Sequence, residues 1–136
     1  MPFTGKVGDT LYLGDIGGRH RYIIISKPNS DGNVIIANFT SATYWREWVV
    51  TFTPKHSKRL FDRKTTVNYA DARIKPVSKL VEEAKYRPEK YEFCPENLVK
   101  KIVIGALQSR FTQIEILEEL KIQYPSEYEK YCQRDY

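Results

Sequence analysis

Only two cysteines, Cys94 and Cys132, stand in this chain of 136 residues. Two thiols are too few for a disulfide framework, and without a C-x-x-C pair they lack zinc-ligand spacing, so a reducing compartment is expected. Long apolar runs are also missing. The longest, Tyr22–Ile25 and Val34–Ala37, fall far short of the roughly 18 residues needed to cross a bilayer. Met1 to Asp9 contains no basic segment followed by an apolar stretch, so a cytoplasmic rather than a secreted protein is expected. No Gly-Lys-Ser/Thr phosphate loop, paired-histidine helix or dinucleotide fingerprint occurs. An ATPase or a metallohydrolase therefore finds no support, and no metal or cofactor is expected. Glycine and proline, 7 each, are too few for a fibrous or low-complexity chain.

What is present suits one globular domain. Apolar residues make up 41% and aromatics 13% of the chain, enough to build a core and too much for disorder. The net charge of +5 hides an asymmetry: residues 1–79 carry 13 Lys+Arg against 6 Asp+Glu, whereas residues 80–136 carry 9 against 11. A polyanion would be drawn to the front of the chain and not to the back.

Short β-branched and aromatic runs punctuated by turn residues predict an all-β unit over residues 1–77. Thr10–Leu13 reads as a strand, and Gly14–Gly18 as a flexible loop. Arg21–Ser26 shows no alternation, so it reads as a strand buried on both faces. Lys27–Asn33, with Pro28 and Asp31-Gly32, is a turn leading to a partner strand over Val34–Thr40. Trp48–Thr53, Thr65–Tyr69 and Ala72–Val77 are further strands, with Pro76 confining the last to an edge or a strand end. From residue 78 the period becomes helical. Ser78 is expected to cap a helix over Lys79–Lys85; Pro95 opens a second, striped by Leu98, Val99, Ile102, Val103, Ala106 and Leu107. Thr112-Gln113-Ile114-Glu115 matches a capping box and starts a third, which runs to about Ile122; Ser126–Cys132 adds a last turn or two. The architecture implied is a small, partly open β-barrel with appended C-terminal helices over 78–136, within a single domain spanning 1–136.

Three groups of residues carry chemistry. Gly17-Gly18-Arg19-His20-Arg21 sets two guanidiniums around an imidazole at the start of a strand, a pattern that holds phosphate as readily as it decorates a solvated loop. Thr40 and Ser41 end the partner strand, and in an antiparallel pair the end of one strand neighbours the start of the other. Arg46, Lys55, Lys58, Arg59, Arg63 and Lys64 are interleaved with Trp45, Trp48, Phe52 and Phe61. That mixture suits single-stranded nucleic acid, whose phosphates seek charge and whose bases stack on rings. Trp45, Lys55, Lys58 and Arg59 are the contact candidates. His56, set among cations, is a candidate for proton transfer, and Tyr69 a candidate hydrogen-bond donor.

Val7-Gly8-Asp9, Gly18-Arg19-His20-Arg21-Tyr22-Ile23-Ile24-Ile25-Ser26 and Asp31–Ser41, in that order and spacing, resemble the front half of the MazF/PemK (Kid-like) toxin superfamily. His56 followed by Thr65–Ala72 resembles the second half of a divergent PemK-like branch. The resemblance implies an SH3-like barrel, often a homodimer, that cleaves single-stranded RNA without metal in the cytoplasm and is held in check by an antitoxin protein. It implies that Arg21 carries charge to the phosphate, that Thr40, or Ser41 beside it, positions that phosphate, and that His20 or His56 moves protons. The chain departs from the family pattern at Tyr22, where the family has proline, and Trp45–Thr53 does not align. A non-catalytic barrel that binds RNA or a protein partner through its basic face is the other reading of the same residues.

Overall fold

Runs rich in Ile, Val, Thr and Tyr form five strands: β1 (Thr10–Asp15), β2 (Gly18–Ile24), β3 (Asn33–Ser41), β4 (Thr51–Phe52) and β5 (Thr65–Pro76). This computed structural model describes residues 3–15, 18–42, 47, 49–86 and 91–134, and the side chains of residues 15, 18 and 19 lie outside that description. The strands make one antiparallel sheet in the order β1-β2-β3-β5-β4, curled into a half-barrel. Four helices follow: α1 (Val77–Ala84), α2 (Glu96–Gln108), α3 (Ile114–Gln123) and α4 (Pro125–Tyr131).

The predicted hairpin forms, with Tyr22 opposite Asn38 and Ile24 opposite Ile36. Its turn is built by Asn29, whose Oδ1 accepts the amides of Asp31 and Asn33 at 2.9 and 3.0 Å, with Gly32 at φ +76°. Ile23, Ile24 and Ile25 are all fully buried, as the missing alternation implies. Several boundaries differ from expectation: among the described residues the strand expected over Trp48–Thr53 is confined to Thr51–Phe52, residues 49 and 50 lying in a bend. β2 begins at Gly18, inside the segment read as a flexible loop, because residues 18–20 pair with Leu13–Asp15. The two short strands after Thr65 are one strand of 12 residues. Between the pairs Ile36↔Arg73 and Asn38↔Asn68, the residues Tyr69–Ala72 stand opposite Ala37 alone. That bulge interrupts the alternation, and the interruption is what reads as a break in the sequence.

The sheet buries both faces. On the inner face Ile23, Ile35, Phe39, Val67 and Tyr69 meet Phe52 and Phe61, together with Leu98, Ile102 and Leu107 of α2 and Ile116 and Leu120 of α3. On the outer face Leu11, Tyr22, Ile24, Val34 and Ile36 pack with Leu80 of α1. α1 continues directly from β5 with Pro76 as its N-cap, so Ser78 lies within the helix and caps nothing. The capping box at Thr112 does not form either. Its hydroxyl donates instead to the Ala106 carbonyl at 2.6 Å, closing the turn between α2 and α3, and Gln113 is the N-cap. Pro125 opens α4, its missing amide being no loss in a first turn.

The Gly8-Asp9 pair is structural. Gly8 has φ +95°, and a Cβ there would lie 2.7 Å from the Cys94 carbonyl oxygen. Asp9 is fully buried and its Oδ2 accepts the amides of Thr4, Gly5 and Lys6 at 3.0–3.1 Å, while its Oδ1 accepts the Tyr91 hydroxyl at 2.7 Å. The carboxylate thus folds the N-terminal segment over the start of β1.

Candidate nucleic-acid interface

Arg21 sits one residue before the β2–β3 ladder begins at Tyr22, directly opposite Tyr12 of β1. Its guanidinium lies over the Tyr12 ring at 4.9 Å, and Nη1 donates to the carbonyls of Arg59 and Leu60 at 3.2 and 3.3 Å. Nε is buried and has no acceptor among the described residues. A buried charged donor without a partner is unfavourable by itself, and an anion is its natural complement.

The carbonyls that hold Arg21 belong to the turn between β4 and β5. Residues 53–64 hold five lysines and arginines against one aspartate. Lys55, Lys58, Arg59, Arg63 and Lys64 are all exposed. The turn is anchored from below by Leu60 and Phe61, which are buried; Phe61 stacks on Phe52 at 4.9 Å and meets Phe39 edge-on at 5.3 Å. Arg59 approaches Glu92 at 3.8 Å, and Arg63 pairs with Asp62 at 3.2 Å. The Arg63 hydrogen bond and charge, aided by Arg21, hold the Asp62 carboxyl below its usual range. The result is a rigidly seated, positively charged turn joined to the start of β2.

His56 belongs to this turn. Its Nδ1 accepts the Thr53 amide at 3.0 Å and its ring meets Phe52 edge-on at 5.5 Å. In the neutral ring that hydrogen bond assigns the proton to Nε2, so His56 faces solvent as a donor rather than as an acceptor.

Strand alternation separates the other expected residues. Arg21 shares the face of Ile23, and Ser41 shares that of Phe39, so Arg21 and Ser41 lie on the inner-face side. His20 and Thr40 share the opposite face with Tyr22 and Asn38. Thr40 therefore does not converge with Arg21, because residues one apart in register on neighbouring strands point to opposite sides of a sheet. Tyr69 is removed from any surface. It is fully buried, its hydroxyl donates to the Ile102 carbonyl of α2 at 2.8 Å, and burial raises its pKa well above the usual value. Gly105 makes that contact possible, since a Cβ there would collide with the hydroxyl. Trp45, with Arg46 and Trp48, and the side chain of Arg19 lie outside the described residues.

Sequence reasoning missed a polar cluster on the outer face. Asp71, in the bulge, accepts the Tyr22 hydroxyl at 2.6 Å, Asn38 Nδ2 at 3.2 Å, and Arg73 through Nη2 and Nε at 2.8 and 3.2 Å. Burial raises its pKa, and the Tyr22, Arg73 and Asn38 interactions outweigh burial, leaving the carboxyl below its ordinary range. A signal existed in the shared alternation of Tyr22 and Asn38, but the bulge that brings Asp71 to them leaves no periodic trace. No family model, curated protein or solved structure matches this chain.

Proposed function

We propose that the protein binds single-stranded RNA through the cationic 53–64 turn and the guanidinium of Arg21. The observation that carries this reading is the unpartnered Nε of Arg21, held in place by the Tyr12 ring and two carbonyls at the foot of a turn with five basic side chains. A phosphate oxygen is the acceptor this donor lacks, and the exposed lysines and arginines extend the same attraction along a backbone. Single strands are favoured over duplex because the turn is compact and aromatic-based, without a helix or ribbon to enter a groove.

Cleavage of the bound strand, as the resemblance to the MazF/PemK toxins implies, is the second reading. It is favoured by Ser41, whose hydroxyl lies on the same face of the sheet as Arg21. In such a reaction the ribose 2′-OH attacks phosphorus, loses its proton to a base, and the 5′ oxygen leaves with a proton from an acid. His56, with Nε2 carrying its proton, suits a hydrogen bond to a phosphate oxygen, and serves as the acid only as imidazolium, after giving up the Thr53 amide; Thr40 and His20 are turned to the other face and suit neither role at this phosphate. An antitoxin and a second copy of the chain belong to this second reading only.

One experiment tests both. A fluorescent single-stranded oligoribonucleotide is titrated with protein at several salt concentrations in chelator, and the RNA is then resolved for fragments and their end groups. Binding that weakens steeply with salt, and is lost in Arg21→Gln, is the expected result. Salt-independent binding or none overturns the RNA reading. Intact RNA after prolonged incubation overturns the cleavage reading alone.

A further inference from the structure

Beyond the C-terminal end of β2, the N-terminal segment, α2 and α4 enclose a cavity of about 430 Å³ that shares no lining residue with the Arg21 site. Its volume lies within the range of about 300–1,000 Å³ found for small-molecule sites. The walls are apolar: Val7, Val99 and Val103, the thiol of Cys94, and the rings of Phe93 and Tyr124. Burial pushes the Cys94 thiol up to about 12, so it stays protonated near neutral pH and acts as one more apolar surface. The Tyr124 hydroxyl is committed to the Ile25 carbonyl at 2.6 Å, which leaves its ring as wall. Phe93 is held at the rim by Gly8, where a Cβ would lie 2.8 Å from the phenyl ring.

The remaining lining residues are charged, and their signs balance: Lys27 and Lys100 against Glu96 and Glu127. Cys94, Val99 and Val103 are buried, whereas Lys27, Glu96 and Lys100 are exposed and Glu127 is half-buried, so the charges stand at the mouth and the apolar groups form the floor. Glu96 and Lys100 lie one turn apart on the α2 face that carries Val99 and Val103. Glu127 comes from α4, and Lys27 from the segment after β2. A glutamate four residues ahead of a lysine on a helix ordinarily pairs with it. Here none of the four charges forms an ion pair among the described residues. Two cations and two anions without mutual partners, set around an apolar floor, complement a small molecule that brings one charge of each sign and an apolar body.

We infer that this cavity binds a free α-amino acid with an aromatic side chain, its carboxylate meeting Lys27 and Lys100, its ammonium meeting Glu96 and Glu127, and its ring filling the apolar floor. An aryl carboxylate lacking the ammonium leaves the two glutamates unanswered, and an arylalkylamine leaves the two lysines so; each forgoes a charge-assisted contact. The bound molecule joins the N-terminal segment, the end of the hairpin, α2 and α4, and so stabilises the folded state by mass action. The site stands apart from RNA binding.

The test is calorimetric titration of the whole protein with L-phenylalanine, phenylpropionate and phenethylamine at roughly millimolar concentrations, with the thermal midpoint read in each. Phenylalanine is expected to bind and to raise the midpoint, and each single-charge analogue to bind roughly tenfold more weakly, the worth of one charge-assisted hydrogen bond. Lys100→Gln should weaken phenylalanine by a similar factor and spare phenethylamine. Glu127→Gln should weaken phenylalanine and spare phenylpropionate. Both positions are at the mouth, outside the core, so both variants are expected to fold. Absence of phenylalanine binding, an analogue that binds as tightly as phenylalanine, or an affinity that survives both substitutions overturns the inference.

Discussion

At the scale of single residues, position in the pleat decides role more than residue type does. Arg21 and Thr40 lie one position apart in register, yet one points toward the 53–64 turn and the other away from it. Arg21→Lys keeps a positive charge and loses the planar fork that spans ring and carbonyls. RNA affinity is expected to fall severalfold in this variant while circular dichroism is unchanged, as an anisotropy titration would read. Tyr69→Phe is a control of the opposite kind: it removes one buried hydrogen bond, costs about 1 kcal/mol of stability in denaturant unfolding, and leaves RNA affinity unaltered. Asp71 gives a pH signature. Its folded pKa is depressed, so its contribution to stability is fully present above the unfolded value near pH 4 and is lost as pH falls through the lower folded value. Asp71→Asn should therefore lower the thermal midpoint at pH 7 and flatten the midpoint's decline below about pH 4 relative to wild type. An unchanged decline would remove Asp71 from the acid response.

Among the elements, the second helix and the β2–β3 hairpin were legible in the sequence because their periods are unbroken and their turns have definite chemistry: the stripe from Leu98 to Leu107, and Asn29 with Gly32. β5 was not legible as one strand, since residues 69–72 slip against Ala37 and exchange the faces on which side chains fall. The same slip hid Asp71. The helix starts at Ser78 and Thr112 were misread for a related reason, a hydroxyl at the right spacing having a better partner or none. Thr112 is bonded to Ala106 across the α2–α3 turn, so Thr112→Val is expected to cost about 1 kcal/mol, whereas Glu115→Ala, which a capping box would make equally costly, should change the unfolding midpoint little. Arg21 stands out in the sequence as a functional candidate from its place before the aliphatic run Tyr22–Ile25. Nothing in the sequence foretold Tyr12 beneath it or the carbonyls of residues 59 and 60 beside it, because those contacts depend on the β1 register and on the path of a turn 38 residues away.

For the molecule as a whole, one inner core is shared by sheet and helices, so the 53–64 turn is fixed on the same scaffold that α2 and α3 complete. Ile102→Ala at the centre of that core is expected to cost about 2–5 kcal/mol and to release the turn along with everything else. Charge operates at this scale too. If Arg21 and four cations of the turn neutralise phosphates on a single strand, log K should fall with log salt at a slope of about −3.5, and Lys58→Gln should reduce the magnitude of that slope by about 0.7.

The C-terminal helices also reach back to the far end of the hairpin. Gln123 exchanges hydrogen bonds with both the amide and the carbonyl of Lys27, each at 2.8 Å and 96 residues away, and the Tyr124 hydroxyl donates to the Ile25 carbonyl at 2.6 Å. The segment Ile25–Lys27 that follows β2 thus stays unclasped until the chain has been synthesised to residue 124. A growing polypeptide still tethered to the ribosome at that point holds an open sheet end, and protease sensitivity at Lys27 in arrested nascent chains should vanish only once α3 has emerged from the exit tunnel.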